Sequence, residues 1–137
     1  MKDENFPRIF VVEDNLMYQE MIASTLESTG FSNVSRYTFG TECVQDLHTM
    51  PDIVFLDYGL DDMDGIEVLK KIKAFDPDIQ VIFLSGQEDM DIALNTLKYG
   101  AFDYVIKDEH AISRVMELMK RMLEIRRLIL KHHSNVR

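Results

Sequence analysis

The chain has 137 residues, 46% of them hydrophobic, enough for one compact domain with a core of its own. A formal net charge of -9 argues against a domain that binds nucleic acid directly. No apolar run approaches the roughly 18 residues of a membrane span; the longest are short stretches such as Ile53-Val54-Phe55-Leu56, so membrane insertion is not expected.

The first residues, Met1-Lys2-Asp3-Glu4-Asn5, carry charge with no apolar core behind it, unlike a secretory leader. The single cysteine, Cys43, cannot form an internal disulfide and reads as a small buried hydrophobe on a helix. The expected setting is a reducing cytoplasm.

Five short apolar, β-branched or aromatic runs alternate with helical patterns. Strands are predicted over residues 8–13, 34–38, 52–57, 79–85 and 102–106. Three contain unbroken apolar cores (Ile9-Phe10-Val11-Val12, Ile53-Val54-Phe55-Leu56 and Val81-Ile82-Phe83-Leu84), as expected for strands covered by helices on both faces. The second, with Ser35, Arg36 and Thr38, reads as an edge. Asn15 opens a helix that ends at Gly30. Asp64-Gly65 opens another through Ile66, Leu69 and Ile72, stopped before Pro77. A further helix runs from about Asp89 to Gly100, with Ala93 and Leu97 one turn apart, and the last runs from Ala111 to about Lys131. Five β–α repeats imply a doubly wound α/β sandwich with a parallel sheet.

In such a sheet the ligand site lies beyond the carboxyl ends of the strands. The residues there are Glu13 and Asp14, then Asp57, Ser85 and Lys107. Converging carboxylates repel one another, and a hard divalent cation such as Mg²⁺ relieves this while leaving positions for phosphate oxygens. Lys107 adds a mobile point charge suited to a phosphoryl oxygen, and Ser85 a hydroxyl that can bond the same group. Gly86 leaves room for a ligand to approach. A carboxylate among these neighbours is suited to accepting a phosphoryl group, a transfer that needs mainly positioning and charge neutralisation.

The sequence here resembles the response-regulator receiver family of two-component signalling. The matching pieces are Val11-Val12-Glu13-Asp14-Asn15, Asp57-Tyr58-Gly59-Leu60 with Met63-Asp64-Gly65, Leu84-Ser85-Gly86, and Gly100-Ala101-Phe102-Asp103-Tyr104-Val105-Ile106-Lys107. The resemblance implies a flavodoxin-like three-layer sandwich with strand order 2-1-3-4-5. It implies Asp57 as phosphoacceptor, served by a sensor histidine kinase or a histidine phosphotransfer protein. Mg²⁺ would be bound by Asp14, Asp57 and the backbone carbonyl of Gly59, with Glu13 acting directly or through water. Lys107 would pair with the phosphoryl oxygen. Ser85 and Tyr104 would form the switch, the hydroxyl moving toward the phosphate and the ring turning inward behind it.

Leu60-Asp61 lacks the proline that many receivers carry at the second position, which would loosen the loop after Asp57. Asp108 follows Lys107 where a proline often fixes a cis bond. Two other classes compete. A haloacid-dehalogenase-type phosphohydrolase also uses a strand-end aspartate and Mg²⁺, but needs a second aspartate where Gly59 stands. A flavodoxin-like cofactor binder would have its phosphate repelled by Glu13-Asp14.

The organisation expected is an N-terminal tail over residues 1–7, a receiver over 8–123, and an extension of the last helix with a tail over 124–137. From Lys120 to Arg137 six basic residues face one acid, Glu124, a local charge of +5. Two apolar stripes run along the last helix. Val115, Leu118, Met122, Ile125 and Ile129 have 3-4 spacing; Ile112, Met116, Met119, Leu123 and Leu130 are interrupted by Arg126. One reading is a broad core face with a fraying end. The other is a helix that pairs with a partner or leads into an output domain, or that pairs with a second copy, a homodimer through Leu118, Met122, Ile125 and Ile129 or through the face of the fourth helix, fifth strand and fifth helix. His132-His133, His48 and His110 are not expected to bind metal.

Overall fold

The structure, a computed structural model, describes residues 6–135; residues 1–5 of the expected N-terminal tail and 136–137 of the C-terminal one lie outside the described residues. The elements run in strict alternation: β1 (Ile9–Val12), α1 (Leu16–Ser28), β2 (Val34–Tyr37), α2 (Gly40–Gln45), β3 (Ile53–Asp57), α3 (Gly65–Phe75), β4 (Gln80–Ser85), α4 (Met90–Lys98), β5 (Asp103–Ile106) and α5 (Ala111–Asn135). A single 3₁₀ turn, Leu47–Thr49, follows α2. The five strands form one parallel sheet in the order 2-1-3-4-5, the order that the family resemblance implies.

The strands are those the apolar runs predict, each shorter by one residue at one or both ends. All residues of β1 and β3 are buried, whereas all four of β2 are half-buried, as an edge should be. Period-two alternation divides the sheet's side chains between two cores. Ile9, Val11, Phe55, Ile82, Leu84 and Val105 meet α1 and α5; Phe10, Val12, Val54, Leu56, Val81 and Phe83 meet α2 and α3. Cys43 is buried in the second core, and this burial pushes its thiol up to about 12, consistent with an inert packing role.

Asn15 caps α1 by accepting the Tyr18 N–H at 3.0 Å, and Gly30, at φ +106°, ends it in the left-handed region. Asp64 and Asp89 cap α3 and α4 in the same way. The α4 face differs from its apolar pattern. Thr96 is its buried residue, while Met90, Leu94 and Leu97 face solvent, Leu97 at 42% exposure. Thr96 tolerates burial because its hydroxyl donates to the Ala93 carbonyl at 2.8 Å.

Helix α5 is unbroken for 25 residues, passing the predicted end near Lys131. The first apolar stripe is divided along its length. Val115, Leu118 and Met122 are each 1% exposed beneath the sheet, while Ile125 and Ile129 are exposed beyond it. A pairing face that includes Leu118 and Met122 is therefore ruled out, because the chain's own core occupies both. Pro7, assigned to the tail, is buried, and the Phe6 ring lies 5.8 Å from the Arg126 guanidinium.

Candidate functional site

Parallel pairing brings the strand exits together. Val12 is level with Leu56, and Asp57 with Leu84, so Glu13, Asp14, Asp57 and Ser85 emerge at one edge of the sheet. The Lys107 N–H donates to the Ser85 carbonyl at 2.7 Å, which brings the lysine to the same edge. The carboxylates of Glu13, Asp14 and Asp57 lie within 4.8 Å of one another. Glu13 is fully buried, Asp57 is 5% exposed and Asp14 is half-buried.

Burial and the Asp57 charge raise the Glu13 carboxyl to about 7, against the lowering contacts of Lys107 and the Asn15 N–H. Asp14 is raised too, by burial first and then by Asp57. Burial opposes the charge on Lys107, but Glu13 and Asp57 more than offset it, and its pKa stands above the ordinary lysine value. The Lys107 ammonium lies 2.5 Å from Glu13 Oε1 and 3.2 Å from Asp57 Oδ1. Even so, no hydrogen bond of good geometry reaches Glu13 Oε1 among the described residues. Three carboxylates this close, two of them buried and sharing a single lysine, form a donor set that suits a hard divalent cation.

Ser85 is 4% exposed and its hydroxyl is engaged with Gln87, accepting that residue's N–H at 3.1 Å. The Tyr104 hydroxyl donates to the Gln87 carbonyl at 2.8 Å from a half-buried ring. Both residues of the expected switch therefore bond to one residue of the loop after β4. Gly59 donates its N–H to Asp57 Oδ1 at 3.1 Å. At Gly86 an added methyl would meet nothing within 4 Å, so the room there is not created by the glycine. Gly65 is different: a Cβ there would lie 2.9 Å from the Phe83 ring and 3.0 Å from the Tyr58 carbonyl.

Three contributors escaped the reading of the sequence. Gln19, buried on the α1 face shared with Ile22, Ala23 and Leu26, donates through Nε2 to the Glu13 and Tyr37 carbonyls, each at 2.9 Å. A glutamine on an otherwise apolar stripe was the available signal. Asp62 accepts from the Gly40 and Thr41 N–H groups at 2.9 and 3.0 Å, pinning to α2 the loop whose missing proline suggested looseness. Tyr18 places its ring centroid 4.9 Å from the Lys107 ammonium. After Lys107, Asp108 accepts the His110 N–H at 2.8 Å and turns the chain into α5. His48 bonds the Gln45 carbonyl and His110 lies beside Glu109, neither of them in the cluster of Glu13, Asp14 and Asp57; His132 is exposed, and the His133 side chain lies outside the described residues.

The family model for the response regulator receiver domain matches residues 9–120. The chain belongs to that family. It is thus a signalling domain of the two-component kind, with a flavodoxin-like fold. Among curated relatives, the C4-dicarboxylate transport transcriptional regulatory protein DctD of Rhizobium meliloti is 32% identical over 93% of this chain, which spans 28% of DctD. The chain likewise spans about half of the Bacillus subtilis regulator CssR, but 97% of the chemotaxis protein CheY of that species, at 31% identity. Among solved structures, the BeF3-activated receiver domain of DrrB, a Thermotoga maritima protein, superposes with a TM-score of 0.77 at 28% identity, covering 85% of this chain and 96% of that one. NtrX of Brucella abortus gives 0.80 at 26% identity, over 92% of this chain and 28% of NtrX. In this receiver, no helix among the described residues is long and apolar enough to cross a membrane.

Proposed function

We propose that the receiver takes one phosphoryl group onto Asp57 from a phosphohistidine on a sensor histidine kinase or histidine phosphotransfer protein in the cytoplasm. The observation that carries this is the placement of a nearly buried Asp57 within 3.2 Å of the Lys107 ammonium and beside Glu13 and Asp14. A carboxylate oxygen of Asp57 attacks phosphorus, the P–N bond breaks, and the imidazole leaves with its electron pair and takes up a proton. Both described hydrogen bonds to Asp57 go to Oδ1, from Lys107 and Gly59, which points to Oδ2 as the attacking oxygen.

Mg²⁺ held by Asp14, Asp57, the Gly59 carbonyl and Glu13, the last directly or through water, would neutralise charge on the transferring group. Lys107 then pairs with a phosphoryl oxygen. The added charge, about -1.5 to -2, draws the Ser85 hydroxyl away from Gln87, and Tyr104 repacks against the space left. The α4–β5–α5 face changes as a result. That face and the exposed end of α5 are the surfaces proposed for a partner or a second copy, the α5 end acting as an extension of a receiver that occupies residues 8–123.

Incubation with Mg²⁺ and acetyl phosphate should add one acid-stable, base-labile phosphoryl group, and Asp57→Asn should abolish it. Equal labelling of that variant would refute the assignment. Ser85→Ala should still be labelled yet lose the change in partner binding; normal signalling by it would remove Ser85 from the switch.

A further inference from the structure

Tyr18 stands in the first turn of α1, its N–H bonded to the Asn15 cap at 3.0 Å, and its half-buried ring packs against the core shared with α5. The Lys107 ammonium, 17% exposed at its side chain, lies 4.9 Å from the ring centroid, within the roughly 6 Å reach of a cation–π contact. The Tyr18 hydroxyl is buried with no hydrogen-bond partner among the described residues. An unpaired buried hydroxyl destabilises a fold, so the part of this side chain with something to contribute is its ring face.

We propose that Tyr18 is a positioning residue for Lys107, its ring face holding the ammonium beside Asp57 ready for the incoming phosphoryl oxygens. The proposal rests on the reading of Lys107 as the cation that receives the phosphoryl group. Among the described residues the ammonium also pairs with Glu13 and Asp57, which belong to the carboxylate cluster. A divalent cation at that cluster competes with Lys107 for both of them. The ring is uncharged and is not drawn off in this way. It therefore restrains a flexible four-carbon arm when the carboxylates are engaged elsewhere, so that less reorganisation remains at the moment of transfer.

The test compares Tyr18→Phe, which keeps the ring and removes the hydroxyl, with Tyr18→Leu, which keeps apolar bulk and removes the ring. Tyr18→Met replaces the leucine variant should that one not fold. In the protein without divalent cation, the Lys107 side-chain protons should show an upfield ring-current shift by NMR in the wild type and Tyr18→Phe, and lose it in Tyr18→Leu. With Mg²⁺ and acetyl phosphate, Tyr18→Phe should be labelled within about two-fold of the wild-type rate. Tyr18→Leu should be slowed about five-fold, the rate equivalent of a cation–π contact at this burial, with its half-saturating Mg²⁺ concentration unchanged. An unshifted Lys107 in the wild type, an unslowed Tyr18→Leu, or a Tyr18→Phe slowed as much as Tyr18→Leu would each overturn the proposal. If the wild type takes no phosphoryl group at all, the reading of Lys107 fails, while the ring-current shift still decides whether the ring holds the ammonium.

Discussion

Glu13 meets a conflict between solvation and charge that decides how the site responds to pH. Its carboxyl stands at about 7 in the folded protein against an ordinary 4.5, chiefly because burial disfavours the charge. Between these values the folded state binds the proton that the unfolded state releases. Stability should therefore fall as pH rises through this window and level off above it. Asp14, also raised, acts in the same direction. Lys107 is raised as well, so its contribution is present at neutral pH and is lost only as pH rises through its own, more alkaline, pKa. Denaturation without divalent cations should find the protein less stable at pH 7.5 than at pH 5, by on the order of 1–3 kcal/mol. Glu13→Gln, which cannot ionise, should flatten most of that slope. A wild type whose stability climbs over the window, or a glutamine variant that keeps the slope, would contradict this account of the buried acid.

Helix α5 shows how one amphipathic element serves two ends. Val115, Leu118, Met119 and Met122 close the core, each at 1% exposure, and from Ile125 onward the same spacing continues with nothing of the sheet left to cover. Periodicity reports that a face is apolar, not what lies against it. That is why the stripe's spacing was legible and its division was not. The same limit explains α4, where Leu97 faces solvent and Thr96 turns inward. If the exposed Ile125, Leu128 and Ile129 pair with a second copy, the gain is smaller than for a stripe that still had Leu118 and Met122 to offer. Full burial contributes about 1.5–3 kcal/mol per side chain, much of it offset by association. Weak self-association in the high-micromolar range is the expected outcome, measured by sedimentation equilibrium. Deleting the chain after Glu124 should abolish it and leave labelling of Asp57 intact. The deletion also removes the Arg126–Asp52 ion pair, 3.5 Å apart and partly exposed, whose loss should cost less than about 1 kcal/mol. A monomer at high-micromolar concentration, with and without phosphorylation, would remove self-pairing as the use of this helix end.

Across the whole molecule, the fold was legible because a parallel sheet writes itself as unbroken apolar runs separated by capped helices. The rule that ligands gather at strand exits then drew Glu13, Asp14, Asp57, Ser85 and Lys107 into one place before any distance was known. Asp62 and Tyr18 were hidden because each acts across elements far apart in the chain, through contacts that leave no local pattern, whereas Gln19 left one trace, a glutamine on an otherwise apolar helix face. The signalling proposed for this receiver turns on Asp57 as the phosphoacceptor. Its most direct test is to label the intact chain with Mg²⁺ and acetyl phosphate, reduce the acyl phosphate with borohydride, and map the modified peptide by mass spectrometry. Homoserine is expected at position 57, one per chain, and none without the phosphodonor or Mg²⁺. Reduction at Glu13, Asp14 or any other carboxylate, with Asp57 recovered unchanged, would contradict it.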